Sequence, residues 1–91
     1  MNNAAHIFIS GIVQEVGFRA YIQNQARRNQ IQGWVKNLND GRVEVLLVGT
    51  QENVLEMIKL CKRGNPWSKV SDVQVNWKNI QDSYDSFSII Y

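Results

Sequence analysis

Residues 6–28 read HIFISGIVQEVGFRAYIQNQARR, and the hydrophobic pattern changes its period at one short turn within this stretch. Residues 6–13 are β-branched and aromatic, with apolar side chains on both faces, which predicts a central strand. From Phe18 onward the apolar side chains recur at helical spacing, which predicts a helix over residues 18–31. The local unit that determines the predicted fold is therefore a strand that leads directly into a helix.

A hairpin of two strands follows this unit. Residues 33–38 and 42–49 read as strands, and NDG at 39–41 separates them. Asn, Asp and Gly tolerate the positive φ angles of tight turns, so these three residues predict a hairpin turn. The two strands are therefore expected to pair antiparallel.

A second helix and two further strands complete the pattern. Thr50 reads as the N-cap of a helix that runs to about Arg63, where Gly64 marks the stop. Residues 69–78 alternate apolar and polar side chains, which is typical of a strand. The ending SFSIIY predicts a short last strand.

The predicted order of elements is βαββαβ plus a short C-terminal strand. Strand–helix–strand units place their strands in one sheet, and the hairpin supplies an antiparallel pair. This order predicts an α+β, ferredoxin-like two-layer sandwich, with two helices on one face of a mixed, mostly antiparallel sheet. Since no linker, repeat or low-complexity segment interrupts the sequence, residues 1–91 are expected to form a single domain.

The composition narrows the class of protein. The chain is 44% hydrophobic and has a formal net charge of +2, which favours a globular domain that binds small anions over one that binds nucleic acid. The start, MNNAAHIFIS, lacks the regions of a signal peptide, and no apolar run is long enough to span a membrane. We therefore expect a cytoplasmic protein without a membrane partner and, from its small size, a monomer.

Most of the usual catalytic groups are missing. His6 is the only histidine and lies far along the first strand from residues 14–19, so no Ser/His/Asp set is expected. Cys61 falls in an apolar helical stripe, which favours a core position over a nucleophile. The carboxylates show no metal-ligand spacing, so neither a metal nor a cofactor is expected. The three tryptophans are expected to pack in the core or on strand faces (Trp34, Trp67, Trp77).

The turn between the first strand and the first helix does offer chemistry. Backbone N–H groups at the start of a helix lack intrahelical partners, and with the helix dipole they favour an anion. Gly17 permits backbone angles that a side chain would forbid, while Arg19 is a cation at the positive end of the helix, where it is unfavourable. A phosphate bound to the guanidinium would reverse that cost. A solvated arginine after an ordinary loop is the alternative on this pattern alone.

Two stretches resemble the signatures of the acylphosphatase family. GIVQEVGFR, residues 11–19, is similar to the pattern G-x-V-Q-G-V-G-F-R. GWVKNLNDGRVEVLLVG, residues 33–49, is similar to G-[FYW]-[AVC]-x-N-x-x-x-G-x-V-x-x-x-x-x-G. GNPWSKV at 64–70 and the ending FSIIY also resemble the family, so the resemblance covers nearly the whole chain in the family's order.

The resemblance implies a function as well as a ferredoxin-like fold. Members hydrolyse a carboxyl–phosphate anhydride, so the implied substrate is an acyl phosphate, and inorganic phosphate is the implied product and inhibitor. Arg19 and Asn37 are the implied catalytic residues, with Asn37 positioning the attacking water. Phosphate binding is implied for the loop and the first turn of the helix (Gln14, Glu15, Val16, Gly17, Phe18, Arg19).

One position departs from the family pattern. Glu15 stands where the family usually has glycine. If its φ is positive, Glu15 carries backbone strain, and its carboxylate is expected to repel a bound phosphate. We therefore expect an effect on affinity rather than on the type of reaction.

Non-catalytic functions are the alternatives for this order of elements. They are an anion-binding or regulatory ligand-binding module and an RNA-recognition domain. RNA-recognition domains stack bases on aromatic side chains of the strand that reads RVEVLLVG here, which has none, so nucleic acid is not expected. Because nothing follows residue 91, a free-standing enzyme is favoured over a domain of a larger carbamoyl-transferring enzyme.

Overall fold

The computed structural model describes residues 3–79 and 82–91, which form five strands and two helices. The elements are β1 (Asn3–Ile12), α1 (Phe18–Arg28), β2 (Gln32–Asn37), β3 (Val43–Gly49), α2 (Gln51–Arg63), β4 (Lys69–Lys78) and β5 (Phe87–Ile90). This is the predicted βαββαβ order with a short last strand. Neither helix is long and apolar enough to cross a bilayer.

The strands form a single mixed sheet in the order β4-β1-β3-β2-β5. β1 pairs antiparallel with β3 and β4, and β2 pairs antiparallel with β3. β5 pairs parallel with β2 at the edge of the sheet. The central position of β1 agrees with its apolar residues on both faces, and the predicted ferredoxin-like α+β sandwich is confirmed.

The main core lies between the two helices and one face of the sheet. Alternate residues of β1, β2 and β3 contribute to it, as the two-residue period of a strand requires. These strand residues are Ala5, Ile7, Ile9, Val35, Val43, Val45 and Leu47. The helices contribute Phe18, Ile22, Ala26, Val54, Met57, Ile58 and Cys61. Both helices therefore cover the same face of the sheet.

A smaller apolar cluster lies on the other face. Ala4, Leu46 and Val48 are buried there, and Trp34 and Tyr84 pack against them. Since Leu46 and Val48 alternate with the core residues of β3, this strand is apolar on both faces. The sheet face without helices is therefore partly covered by its own side chains.

One of the three tryptophans differs from the prediction, and a second lies on a strand face but is only half buried. Trp67 is 75% exposed in the turn between α2 and β4, so its predicted packing role is wrong. Trp77 is 49% exposed because it lies near the end of the edge strand β4. Hydrophobic size alone therefore did not identify core positions.

The first helix ends three residues earlier than predicted. Gln30 has a φ of 57°, and the Ile31 N–H donates to the Ala26 carbonyl at 2.9 Å. This is the geometry of a left-handed helix cap, which glycine usually supplies. Gln30 occupies the position instead, so the sequence gives no stop signal. The reversal allows Ile31 to be buried beside Ala26.

Candidate active site

A pocket of about 160 Å³ lies where β1 turns into α1. Its lining residues come from four parts of the chain, namely Val13, Glu15, Gly17, Phe18, Arg19, Ala20, Asn37, Ile89 and Tyr91. Arg19 and Asn37 are therefore neighbours in space, although they belong to different elements.

The start of α1 provides backbone N–H groups to this pocket. Gly17, at the N-cap, has a φ of 75°, and no side chain caps the helix. The first backbone bond of the helix runs from the Tyr21 N–H to the Gly17 carbonyl at 3.0 Å. The N–H groups of residues 18–20 therefore have no intrahelical partner.

The N-terminus of α2, unlike that of α1, is capped by a side chain. The Thr50 side chain accepts a hydrogen bond from the Asn53 N–H at 3.2 Å, and Glu52 lies in the first turn of α2. The first turn of α1 has no acidic residue, and it carries Arg19 instead. Both the dipole and the side chain therefore make the start of α1 attractive to an anion.

Arg19 has an aromatic contact but no acidic partner in the described structure. Its guanidinium carbon lies 4.9 Å from the centre of the Tyr91 ring. The ion pairs found among residues 3–79 and 82–91 involve other side chains. A contact with an aromatic face does not neutralise the guanidinium charge. Its charge thus stays available to a ligand in the pocket.

Asn37 is the last residue of β2 and brings an amide to the same pocket. Within the described part of the chain, its Oδ1 atom is buried without a hydrogen-bond partner. A buried unpaired acceptor costs on the order of 1–3 kcal/mol, so proteins seldom keep one without a function. Asn65 Oδ1 is likewise buried without a partner in this part of the chain, so for Asn37 the unpaired oxygen matters because the residue also lines the pocket.

Gln14 connects the loop to the hairpin that carries Asn37. Its Nε2 donates to the carbonyls of Leu38 and Arg42, at 2.7 and 2.9 Å. The side chain of Gln14 is thus hydrogen-bonded to the backbone and does not line the pocket. Its contacts hold the loop after β1 close to the end of β2.

The two residues after Gln14 are placed differently from each other. Glu15 lines the pocket, is exposed, and has a φ of 63°. The left-handed region costs a non-glycine residue about 1–2 kcal/mol, so Glu15 carries the backbone strain that was expected for a positive φ. The Val16 side chain packs against the main core instead, and its carbonyl accepts a hydrogen bond from Asn65 at 2.7 Å.

Four residues of the pocket were not among the predicted site residues. Val13 and Ala20 flank the predicted loop, so their proximity in sequence was a usable signal. Ile89 and Tyr91 reach the pocket because β5 pairs parallel with β2, with Ile89 opposite Val35. No local pattern in the sequence specifies that pairing.

The pocket offers a guanidinium, an amide and backbone N–H groups. Among residues 3–79 and 82–91, no three or more His, Cys, Asp or Glu side chains come together as a potential metal site. Cys61 is buried in the core, and burial raises the pKa of its thiol to about 12. The donor set therefore suits an oxyanion and a water molecule.

The fold is that of a ferredoxin-like domain with a pocket at its first strand–helix turn. The sequence model of the family described as Acylphosphatase matches residues 5–89. The chain therefore belongs to the acylphosphatase family, and the resemblance seen in its two signatures is confirmed.

Individual relatives agree with this assignment. An acylphosphatase from Chloroflexus aurantiacus is 44% identical over 87 residues, which cover 96% of this chain and 95% of the relative. The crystal structure of acylphosphatase from Bacillus subtilis has a TM-score of 0.95 and 38% identity, covering 98% of this chain and 99% of that one. An acylphosphatase structure from Coxiella burnetii has a TM-score of 0.92 and 31% identity, and the match covers 98% of this chain and 93% of that one.

Proposed function

We propose that this protein hydrolyses the carboxyl–phosphate bond of acyl phosphates, which releases a carboxylate and inorganic phosphate. Membership of the acylphosphatase family supports this reaction. The observation that carries the mechanism is that Arg19 and Asn37 line the same pocket at the uncapped start of α1. The Arg19 guanidinium is suited to bind an anion, and the Asn37 amide is suited to bind a neutral water molecule.

The phosphoryl group is held by the loop and by Arg19. The free N–H groups at the start of α1 donate to its oxygens, together with backbone N–H groups of the preceding loop. The Arg19 guanidinium donates to two oxygens at once, because its planar fork matches their spacing. Charge that develops on the phosphoryl oxygens in the transition state is stabilised by the same donors.

Asn37 orients the attacking water. Its amide has both an acceptor and a donor, but it cannot take a proton at pH 7. The unpaired Oδ1 supports this role, because a water donating to it would satisfy the buried acceptor. The contribution of Asn37 is therefore positioning, which fixes the water in line with the bond that breaks.

The chemistry does not require a general base or acid from the protein. The water oxygen forms a bond to phosphorus while the bond from phosphorus to the carboxyl oxygen breaks. The carboxylate leaves with the bonding electrons and is stable without protonation. The proton of the water passes to an oxygen of the phosphate. An alkyl phosphate ester has a much poorer leaving group, so it should be a poor substrate.

We further propose that the protein acts as a cytoplasmic monomer of one domain, residues 1–91. Its small size, its composition and its modest net charge of +2 support this proposal. Inorganic phosphate should bind the pocket as product and inhibitor, and nucleic acid should not bind.

A phosphate-release assay tests the proposed function. The full chain is incubated with acetyl phosphate and, in parallel, with an alkyl phosphate ester, and released phosphate is measured against the spontaneous rate. We expect rapid release from acetyl phosphate and none above background from the ester. The proposal would be refuted if the protein accelerated the hydrolysis of neither acetyl phosphate nor a second, aromatic acyl phosphate.

A further inference from the structure

Asn65 connects the turn after α2 to the loop of the pocket. Its Nδ2 donates to the Val16 carbonyl at 2.7 Å, across 49 positions of sequence. The opposite orientation of the amide would bring two acceptors together, so the nitrogen faces Val16. The bond therefore acts on the last peptide of the loop before α1.

The backbone of Asn65 is held independently of its side chain. The Ser68 hydroxyl accepts a hydrogen bond from the Asn65 N–H at 3.0 Å and lies 3.0 Å from the Asn65 carbonyl. The Ser68 N–H donates to the same carbonyl at 3.1 Å. These bonds close a short turn, so a change in the Asn65 side chain leaves the turn itself intact.

The bond to Asn65 also sets the direction of a backbone donor. The Val16 carbonyl and the Gly17 N–H belong to one planar trans peptide and point in opposite directions. Asn65 lines a separate groove, whereas Gly17 lines the pocket. With the carbonyl held toward Asn65, the Gly17 N–H is turned away from Asn65 and toward the pocket that Gly17 lines.

This peptide needs such a constraint because residue 17 is glycine. Gly17 has a φ of 75° and no Cβ, so rotation of the peptide meets little steric resistance. A rotated peptide would present a carbonyl oxygen where an anion requires a donor. The hydrogen bond from Asn65 favours the productive orientation by roughly a factor of ten.

We infer that Asn65 is a positioning residue that holds the peptide between Val16 and Gly17 so that the Gly17 N–H faces the bound phosphate. The inference rests on the proposed function, because it concerns the same pocket. Asn65 acts through the loop and does not contact the substrate. Its loss should therefore raise KM and weaken phosphate binding more than it lowers kcat.

The test compares Asn65→Ala and Asn65→Leu with the parent. The leucine variant keeps the side-chain volume without an amide, and Trp67→Ala, an exposed change in the same turn, is the matched control. Inorganic phosphate is titrated while the amide signals of the full chain are followed by NMR, and urea unfolding checks the fold. We expect roughly tenfold weaker phosphate binding and a diminished response of the Gly17 amide in both Asn65 variants. Trp67→Ala should match the parent.

The outcomes separate this inference from the proposed function. Phosphate affinity equal to that of the parent in both folded Asn65 variants overturns the positioning role. Loss of folding in both variants also overturns the positioning role. The same holds if the parent hydrolyses acetyl phosphate but the NMR signal of its Gly17 amide does not change when phosphate is added. A parent that neither binds phosphate nor hydrolyses acyl phosphates refutes the proposed function instead.

Discussion

Arg19 is a cation at the positive end of a helix, where it costs about 0.3–1 kcal/mol at a surface. The stacking contact with Tyr91 offsets a similar amount. Its position is therefore nearly neutral for folding, and the proposed benefit arises when an anion binds. A residue kept at no gain in stability is a strong candidate for function.

Replacement of Arg19 should separate activity from folding. Arg19→Ala should lose nearly all turnover of acetyl phosphate, while its free energy of unfolding changes by less than about 1 kcal/mol. Arg19→Lys should retain little turnover, because an ammonium group lacks the planar, two-pronged geometry of the guanidinium. Phosphate release and urea unfolding measure the two effects. A folded Arg19→Ala protein with turnover near that of the parent would contradict the assignment.

Asn37 should affect the chemical step rather than phosphate binding. Asn37→Ala is expected to lower kcat on the order of 100-fold and to leave the inhibition constant for inorganic phosphate almost unchanged. Asn39→Ala, an exposed change in the same hairpin turn, is the control. If Asn37→Ala instead weakens phosphate inhibition and spares kcat, Asn37 contacts the phosphate and not the water.

Glu15 combines a strained backbone with an unfavourable charge. Its φ of 63° makes Glu15→Gly stabilising by about 0.5–1 kcal/mol, once the greater entropy of glycine in the unfolded chain is subtracted. Removal of the carboxylate should also tighten phosphate binding a few-fold, more at low ionic strength than at high. Urea unfolding and phosphate inhibition at two salt concentrations measure these changes.

Gln30 provides the matched control for Glu15. It also has a positive φ, of 57°, but lies at the other end of α1, away from the pocket. Gln30→Gly should stabilise the fold by a similar amount and leave phosphate binding unchanged. If both variants change phosphate binding equally, the effect at residue 15 does not come from its charge. If Glu15→Gly binds phosphate less tightly, the carboxylate has a positive role in the site.

At the scale of elements, the two helices differ in what they contribute: α1 lines the pocket, and α2 packs in the core. α1 has an uncapped N-terminus at the pocket, whereas α2 is capped by Thr50 and ends at Gly64. The apolar stripe of α2 includes Cys61, which is fully buried. α2 therefore serves mainly the core, and its thiol reports on folding rather than on catalysis.

Burial of Cys61 predicts a loss of stability at high pH. Burial raises the pKa of the thiol from 9.0 to about 12, so the folded state favours the protonated form. The stabilisation is complete below the pKa of the unfolded thiol and is lost progressively as pH rises from about 9 toward 12. Urea midpoints should fall over this range, and less steeply in Cys61→Val. Burial also raises the pKa of Tyr21, and the nearby Cys61 thiolate raises it further, so Cys61→Val removes this second contribution too and acts in the same direction. Equal slopes would refute the prediction.

At the scale of the whole molecule, the pocket is lined by residues from the loop after β1, from α1, from β2 and from the C-terminal segment that includes β5. The described residues bring together no metal-binding group of His, Cys, Asp and Glu side chains. Hydrolysis of acetyl phosphate should therefore survive exhaustive treatment with a chelator. The check is the rate of phosphate release before and after chelation, with and without added Mg²⁺. Loss of activity that a divalent ion restores would refute the proposed mechanism.

The sequence predicted the order and type of every element, because hydrophobic period and turn residues are local properties of the backbone. It also predicted Arg19 and Asn37 as site residues, through two signatures that lie in separate segments. It missed the end of α1, because Gln30 adopts a left-handed conformation that glycine usually marks.

Only the tertiary structure decided how the parts of the pocket meet. The parallel pairing of β5 with β2 brings Tyr91 to Arg19, and Gln14 and Asn65 find backbone partners far away in sequence. The sign of φ at Glu15 was likewise undetermined until the loop was closed between β1 and α1. Such features depend on the packing of the whole chain around one core, which a local pattern does not encode.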